Sequence, residues 1–287
     1  MNVLRKIPLI AFVTVFAAGL NVNGGDVVVN DLNKLSGWIL DPSKSAQIKI
    51  DDYGVIETKG QLIIYSRDFI TIDPAKKYRL SGQFRCAPGT KSNRFYFGFQ
   101  PFDASRKTIL PAMVGVVSGT DSELAAPCNP ADKTLKVVDA SMWQTGGKYC
   151  VAFNIDPAGT DLPNRTLSVT GVKALKAAGS AYEVVLDKPC GVSAAAGTKI
   201  RLHQTGNTYI YPAAEYKETP AEWQECSGII KPEIASGSPR DAWWKGTKLC
   251  RIVILANYAQ GAADAALQIK NIKLEELEEA TPNEKNK

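Results

Sequence analysis

The chain holds 287 residues, 45% of them apolar and 22% charged, a globular composition with length for one large domain or two modest ones. Those figures exclude disorder, collagen and a small disulfide scaffold as descriptions of the whole chain. The 34 basic and 29 acidic side chains leave a formal charge of +5, and the single histidine is too few for the common zinc sets.

Residues 1–24 read as a signal peptide. Arg5 and Lys6 open it, the apolar run Ile7 to Leu20 follows, and small residues close it. Ala17 and Gly19 suit the −3 and −1 positions of a cleavage site, and a cut after Gly24 is a second option. An uncleaved anchor is the alternative. No later apolar stretch reaches the ~20 residues that a membrane helix needs. The mature chain is therefore expected to be secreted, with no membrane insertion after cleavage. Loss of Arg5 and Lys6 lowers the charge from +5 to +3, and no lysine or arginine stripe follows, which argues against nucleic acid as a partner.

The rest of the chain reads as strands. In Tyr78 to Cys86 the residues Tyr78, Leu80, Gly82, Phe84 and Cys86 share one face, and Arg79, Ser81, Gln83 and Arg85 the other. In RFYFGFQPF, Phe95, Phe97 and Phe99 alternate with Tyr96, Gly98 and Gln100. APGTKSN between them carries turn chemistry. Four strand-turn units follow: KTLKVVDASMW, GKYCVAFNI, LSVTGVKAL and AYEVVLDKPC. IRLHQTGNTYIY reads as a hairpin turning near Gly206-Asn207. The best helical signal is a short turn over Pro220 to Glu225. RIVILANY is apolar on both faces, as a covered central strand would be, and AALQIKNIKLEEL alternates.

This pattern predicts an all-β fold: a jelly-roll β-sandwich over 25–115 and 201–277, interrupted by a small inserted β-domain over 116–200, with a polar tail over 278–287. An insertion of that kind is tolerated where a loop's ends lie close together at the surface. The six cysteines, Cys86, Cys128, Cys150, Cys190, Cys226 and Cys250, then split three and three. Six allow 15 pairings, so bridges and free buried thiols both stay open. None forms a C-x-x-C pair.

Several segments occur in a familiar order: LSGW, YRLSGQFRC followed by RFYFGFQPFD, the Trp-x-x-x-Ser strand in AEWQECSGII, and RIVILANY closing on NIKL. This order resembles the jelly-roll, galactose-binding-like carbohydrate-binding modules. The likeness covers roughly 26–111 and 201–277. It implies a glycan partner held on a concave sheet or in end loops, and a possible structural calcium. It carries no catalytic signature and transfers no particular binding residue.

Sugars are held by flat aromatic rings together with amides, arginines and carboxylates. Two local groups fit as ligand-binding residues. On the expected hairpin, Arg201, His203, Tyr209 and Tyr211 would share the solvent face. In DAWWKG, adjacent Trp243 and Trp244 cannot both point inward from one strand, so one would be a stacking platform. Trp38 and Trp223 read as core. Arg79, Gln83 and Arg85 with Tyr96 and Gln100 could line a concave sheet. Asn154, Asp156 and Asp161 form an acidic turn without EF-hand spacing, Asp51-Asp52 forms another, and Asn164-Arg165-Thr166 is a glycosylation sequon.

The reading is a secreted, non-catalytic polysaccharide- or glycan-binding protein with no catalytic residues and no cofactor. One alternative is an adhesion protein that uses the sandwich for protein contacts. The other is a polysaccharide-active enzyme: a lyase with His203 and Tyr209 or Tyr211 as base and acid, or a hydrolase with a pair of carboxylates.

Overall fold

A computed structural model describes residues 26–27, 32, 34–39, 41–169 and 171–278. The expected signal segment, and all of the expected tail except Glu278, lie outside those residues.

Two antiparallel sheets face each other. The back sheet runs in the order Gln224–Ile230, Lys77–Cys86, Ala266–Leu277, Ile56–Lys59, Ile48–Ile50, with Asp26–Val27 also paired to Ala266–Leu277. The front sheet runs Ile210–Glu218, Arg94–Phe102, Leu249–Ala256, Leu62–Ser66, Trp38–Ile39, with Ile70–Thr71 also on Leu249–Ala256. Most successive strands alternate between the sheets, which makes this an all-β jelly-roll sandwich.

Period-two alternation sets which side chains meet. Phe95, Phe97 and Phe99 are fully buried between the sheets. Phe84 from the opposite sheet lies 4.7 Å from Phe95 and 4.9 Å from Phe97, ring centre to ring centre. Leu80, Ile252, Ile254, Leu267 and Ile269 complete the layer. A one-residue slip in any of these strands would turn its apolar set to water, so burial fixes the register.

The inserted region has its own apolar core, built on Leu135, Val137, Val151, Phe153, Val184, Ile200 and Leu202. One of its sheets is Thr134–Val137, Ala181–Leu186, Val172–Ala178; the other is Tyr149–Phe153, Lys199–Gln204, Ser122–Glu123. Its entering and leaving strands run side by side. The Val117 amide donates to the Leu202 carbonyl at 3.0 Å, and the Gln204 amide to the Gly115 carbonyl at 2.8 Å.

Two expectations need correction. Ile200 to Tyr211 is not a hairpin. Lys199–Gln204 pairs with Tyr149–Phe153 in the insert, whereas Ile210–Glu218 pairs with Arg94–Phe102 in the sandwich. Residues 201–204, expected in the sandwich, therefore belong to the insert, because Leu202 has an apolar core to fill there. Gly206-Asn207 lies on the crossing between the two modules. The helical turn over Pro220–Glu225 is also absent: Gln224–Ile230 is a strand at the edge of the back sheet.

Candidate functional site

The outer side of the front sheet is the aromatic side. Along the central strand Leu249–Ala256, Cys250, Ile252 and Ile254 enter the core, so Arg251, Val253 and Leu255 face outward. Val253 is paired with Tyr65 and Gly98, and Leu255 with Ile63 and Tyr96. Six of the chain's ten tyrosines gather over this strip. The ring centres run Tyr216 to Tyr96 at 5.8 Å, Tyr96 to Tyr211 at 4.7 Å, Tyr211 to Tyr209 at 5.9 Å and Tyr209 to Tyr65 at 6.1 Å. Tyr258 meets Tyr96 edge-on at 5.9 Å.

Local irregularities place these rings. The edge strand Ile210–Glu218 carries two register shifts, one between Ile210 and Ala214 and one between Ala214 and Lys217. Bulges re-aim side chains, and an edge strand tolerates Pro212 because no partner needs its missing N–H. Tyr216 takes φ 48° at the second bulge. Tyr211 and Tyr216 are thereby brought to Tyr96 from the same strand. The bulge itself needs two glycines. A Cβ on Gly98 would stand 1.9 Å from the Ile210 carbonyl oxygen, and one on Gly228 would stand 1.7 Å from that of Pro212. At the far end of the central strand, Asn257 takes φ 55° and donates its side-chain amide to the Gly60 carbonyl at 2.8 Å. That turn swings Tyr258 onto the outer face.

Beside Tyr65 and Tyr258 the face opens into a pocket of about 500 Å³, lined also by Ile39, Asp41, Lys44, Gln61 and Ile63. The pocket joins apolar walls to polar tips. At the other end, Glu215 accepts from Asn207 at 3.0 Å and is ion-paired with Arg240. The Tyr65 and Tyr209 phenol oxygens are 2.6 Å apart. Burial pushes the phenols of Tyr96, Tyr209 and Tyr211 up, so they are neutral donors and acceptors at ordinary pH.

The expected ligand-binding residues are dispersed. Tyr209 and Tyr211 lie in the tyrosine chain. Arg201 and His203 do not join them: both are buried where the insert meets the sandwich. Arg201 Nε donates to His203 Nε2 at 2.8 Å, so that nitrogen must carry a lone pair. The ring proton is then on Nδ1, which donates to the Ala112 carbonyl at 2.6 Å. Burial, with the Arg201 charge adding to it, pulls His203 down to about 4. Arg201 also donates to Asp161 Oδ2 at 2.6 Å, and Asn164 donates to the same oxygen at 2.9 Å. This network fastens the insert to the Pro111–Val114 turn. Both nitrogens of His203 are used, so the lyase base proposed from sequence is overturned.

Trp243 and Trp244 are both fully buried. They sit in irregular backbone before the Leu249–Ala256 strand, where strand alternation does not apply. Trp243 packs 5.0 Å from Phe99, and Trp244 Nε1 donates to the Pro239 carbonyl at 2.9 Å. Neither is a platform. Trp38 is core as expected, but Trp223 is half-buried on the back sheet, with Arg85 at 4.6 Å and Lys270 at 4.3 Å from its ring centre. Arg79, Gln83 and Arg85 lie on the outer side of the back sheet, and Tyr96 and Gln100 on the outer side of the front sheet, so they line no common surface.

In the acidic turn, Asp156 accepts from the Ala158 amide at 3.0 Å, and Asp161 is the partner of Arg201. Asn164 is only 4% exposed and its amide is already engaged, so the sequon is closed in the folded chain. All six cysteines are free, five of them buried. Sequence reasoning missed Tyr65, Tyr96 as a partner of Tyr211, Tyr216 and Tyr258; only the outward alternation at Tyr96 pointed that way.

No family model and no curated protein matches the chain. Among solved structures, the chain is similar to the CBM22-1 xylan-binding domain from Paenibacillus barcinonensis Xyn10C. The match has 9% identity and a TM-score of 0.35, and covers 90% of this chain and 97% of that one. It is also similar to the N-terminal CBM22-1-CBM22-2 tandem domain from the same Xyn10C, at 9% identity and a TM-score of 0.21, covering 90% of this chain and 99% of that one. These neighbours are carbohydrate-binding modules, and superpositions this loose place no constraint on the ligand of this chain.

Proposed function

We propose that this chain is a secreted, non-catalytic carbohydrate-binding protein, and that its ligand lies on the tyrosine-covered outer side of the front sheet. The tyrosine chain carries the reading. Flat rings offer apolar area to the C–H faces of sugars, and phenol hydroxyls offer hydrogen bonds to their hydroxyls. The pocket beside Tyr65 and Tyr258 supplies a carboxylate, an ammonium and an amide in Asp41, Lys44 and Gln61. Binding sites commonly combine apolar walls with a few polar groups in this way.

The lyase alternative has lost its base, since His203 is enclosed. The adhesion alternative calls for one broad apolar patch. The large exposed apolar side chains instead sit on separate elements, with Tyr53 in a turn, Met142 in the insert and Ile229 on the back sheet. Affinity electrophoresis through gels containing neutral and acidic polysaccharides tests the proposal. Retardation on at least one polymer, lost in Tyr96→Ala, is expected. A chain that no polysaccharide retards would end the reading.

A further inference from the structure

The outward strip of the central strand does not end at the tyrosines. One pair of residues beyond Val253 stands Arg251, opposite Gln100. Its guanidinium carbon lies 4.0 Å from the ring centre of Phe69 and 5.7 Å from that of Phe102. Arg106 also approaches Phe69, with its guanidinium carbon 5.2 Å from that ring centre. Arg67 is close enough to act on Arg251 electrostatically.

This corner has an excess of uncompensated positive charge. Among the described residues no carboxylate makes an ion pair with Arg106 or Arg251. Elsewhere on the face, Glu215 is occupied by Arg240 and Asn207. Burial and the Arg106 and Arg67 charges oppose the Arg251 charge, and Asp68 supports it. Arg251 Nε is also buried without any hydrogen-bond partner. An unpaired buried donor on a cation is costly, and a guanidinium is shaped to take a planar oxyanion in a two-pronged contact.

We infer that this arginine corner binds the carboxylate of an acidic sugar, so that the ligand is a uronate-bearing polysaccharide with a neighbouring ring on the tyrosines. The inference rests on the carbohydrate-binding reading above and names the class of carbohydrate. Phe69, 4.0 Å from the Arg251 guanidinium carbon, supports the charge by cation–π attraction, and with Nε enclosed the contact would be made through the two terminal nitrogens.

The test uses the secreted chain and matched polymers: polygalacturonate and alginate, the same two after their carboxylates have been reduced to alcohols, and dextran sulfate. The acidic parents should bind at least tenfold more tightly than their reduced forms, the scale of one charge-assisted contact. Arg251→Lys and Arg106→Asn should each remove roughly that preference while leaving weak binding of the reduced polymers unchanged. Arg106 is an exposed turn residue with φ 62°, a conformation that asparagine accepts, so the second variant keeps the test open if the first is unstable.

Equal binding of parent and reduced polymers, lost in Tyr96→Ala, would overturn the inference and leave the tyrosine site standing. Binding to the sulfated polymer alone would overturn the carboxylate assignment. If no polymer in this set or in the wider panel binds, both proposals fall.

Discussion

The phenol oxygens of Tyr65 and Tyr209 lie 2.6 Å apart, though 144 residues separate them in the chain. Tyr65 stands on a front-sheet strand, and Tyr209 is at the end of the crossing from the insert. Their contact ties the returning chain to the sandwich and closes one end of the aromatic strip. Tyr65→Phe and Tyr209→Phe should each lower unfolding stability by about 1 kcal/mol, the net worth of one hydrogen bond. The double variant should lose little more than either single, because the same bond is removed. Denaturant titrations of the four proteins measure that coupling; additive losses would mean the contact contributes nothing.

Gly98 is the point at which the edge strand closes over the sheet. Any Cβ there meets backbone, which cannot rotate aside. Gly98→Ala should displace the Tyr209–Tyr211 segment and cost about 1–3 kcal/mol, in line with overpacked sites. Polysaccharide binding should fall with it. The paired measurement is a melting curve and a gel-retardation assay, and a variant with unchanged retardation would detach Tyr211 from the site.

Two tyrosines of the same strip should separate stability from binding. Tyr211 is 8% exposed, and Tyr216 is 45% exposed. Tyr211→Ala should destabilise by about 3 kcal/mol through the lost ring. Tyr216→Ala should change stability by less than about 0.5 kcal/mol, as surface substitutions do. Both should weaken retardation. Trp244→Ala should behave in the opposite sense to Tyr216→Ala, with a loss of about 3–5 kcal/mol and no change in retardation wherever the chain remains folded.

His203 gives a pH dependence with a definite sign. Folding lowers its pKa from 6.5 to about 4. The unfolded chain therefore takes up a proton first, and this group's contribution, complete above pH 6.5, drains away as the pH falls toward 4. The loss is on the order of 3 kcal/mol across that window. Asp161 is held below its usual range by its hydrogen bonds and by Arg201, against an opposing burial effect. Its contribution is lost in the same direction, at lower pH. Melting temperatures between pH 7.5 and 4.5 should fall steeply for the native chain and less steeply for His203→Gln.

The cysteines should divide by access. Cys86 is the one thiol that is partly exposed. Burial pushes Cys128 up to about 11 and Cys150 up to about 12, so both stay protonated and unreactive. Brief alkylation of the folded chain should label Cys86 alone. Mass mapping of labelled peptides checks this, and labelling of Cys150 before denaturation would contradict the packing.

The sequence by itself determined the strands and the faces they bury. Alternation in Tyr78–Cys86 and Arg94–Phe102 is a local property, and burial of one face left one register available. It also marked four of the six strands described in the insert, since turn residues separate them. What it could not determine was which strands pair. Ile200 to Tyr211 has the pattern of a hairpin, yet its halves enter different sheets, because Leu202 and Ile210 each found a distant core. Alternation also says nothing about irregular backbone, so it misjudged Trp243 and Trp244. The tyrosine strip was beyond local reading for a related reason. Its rings come from four separate stretches of chain, and the bulges and glycines that aim them act only when the edge strand has closed over Gly98. Tertiary structure alone decided that Tyr65, Tyr96 and Tyr211 share a face and that Arg251 points outward farther along it. It also turned the single histidine, which sequence put on a solvent face, into an enclosed fastening between the two modules.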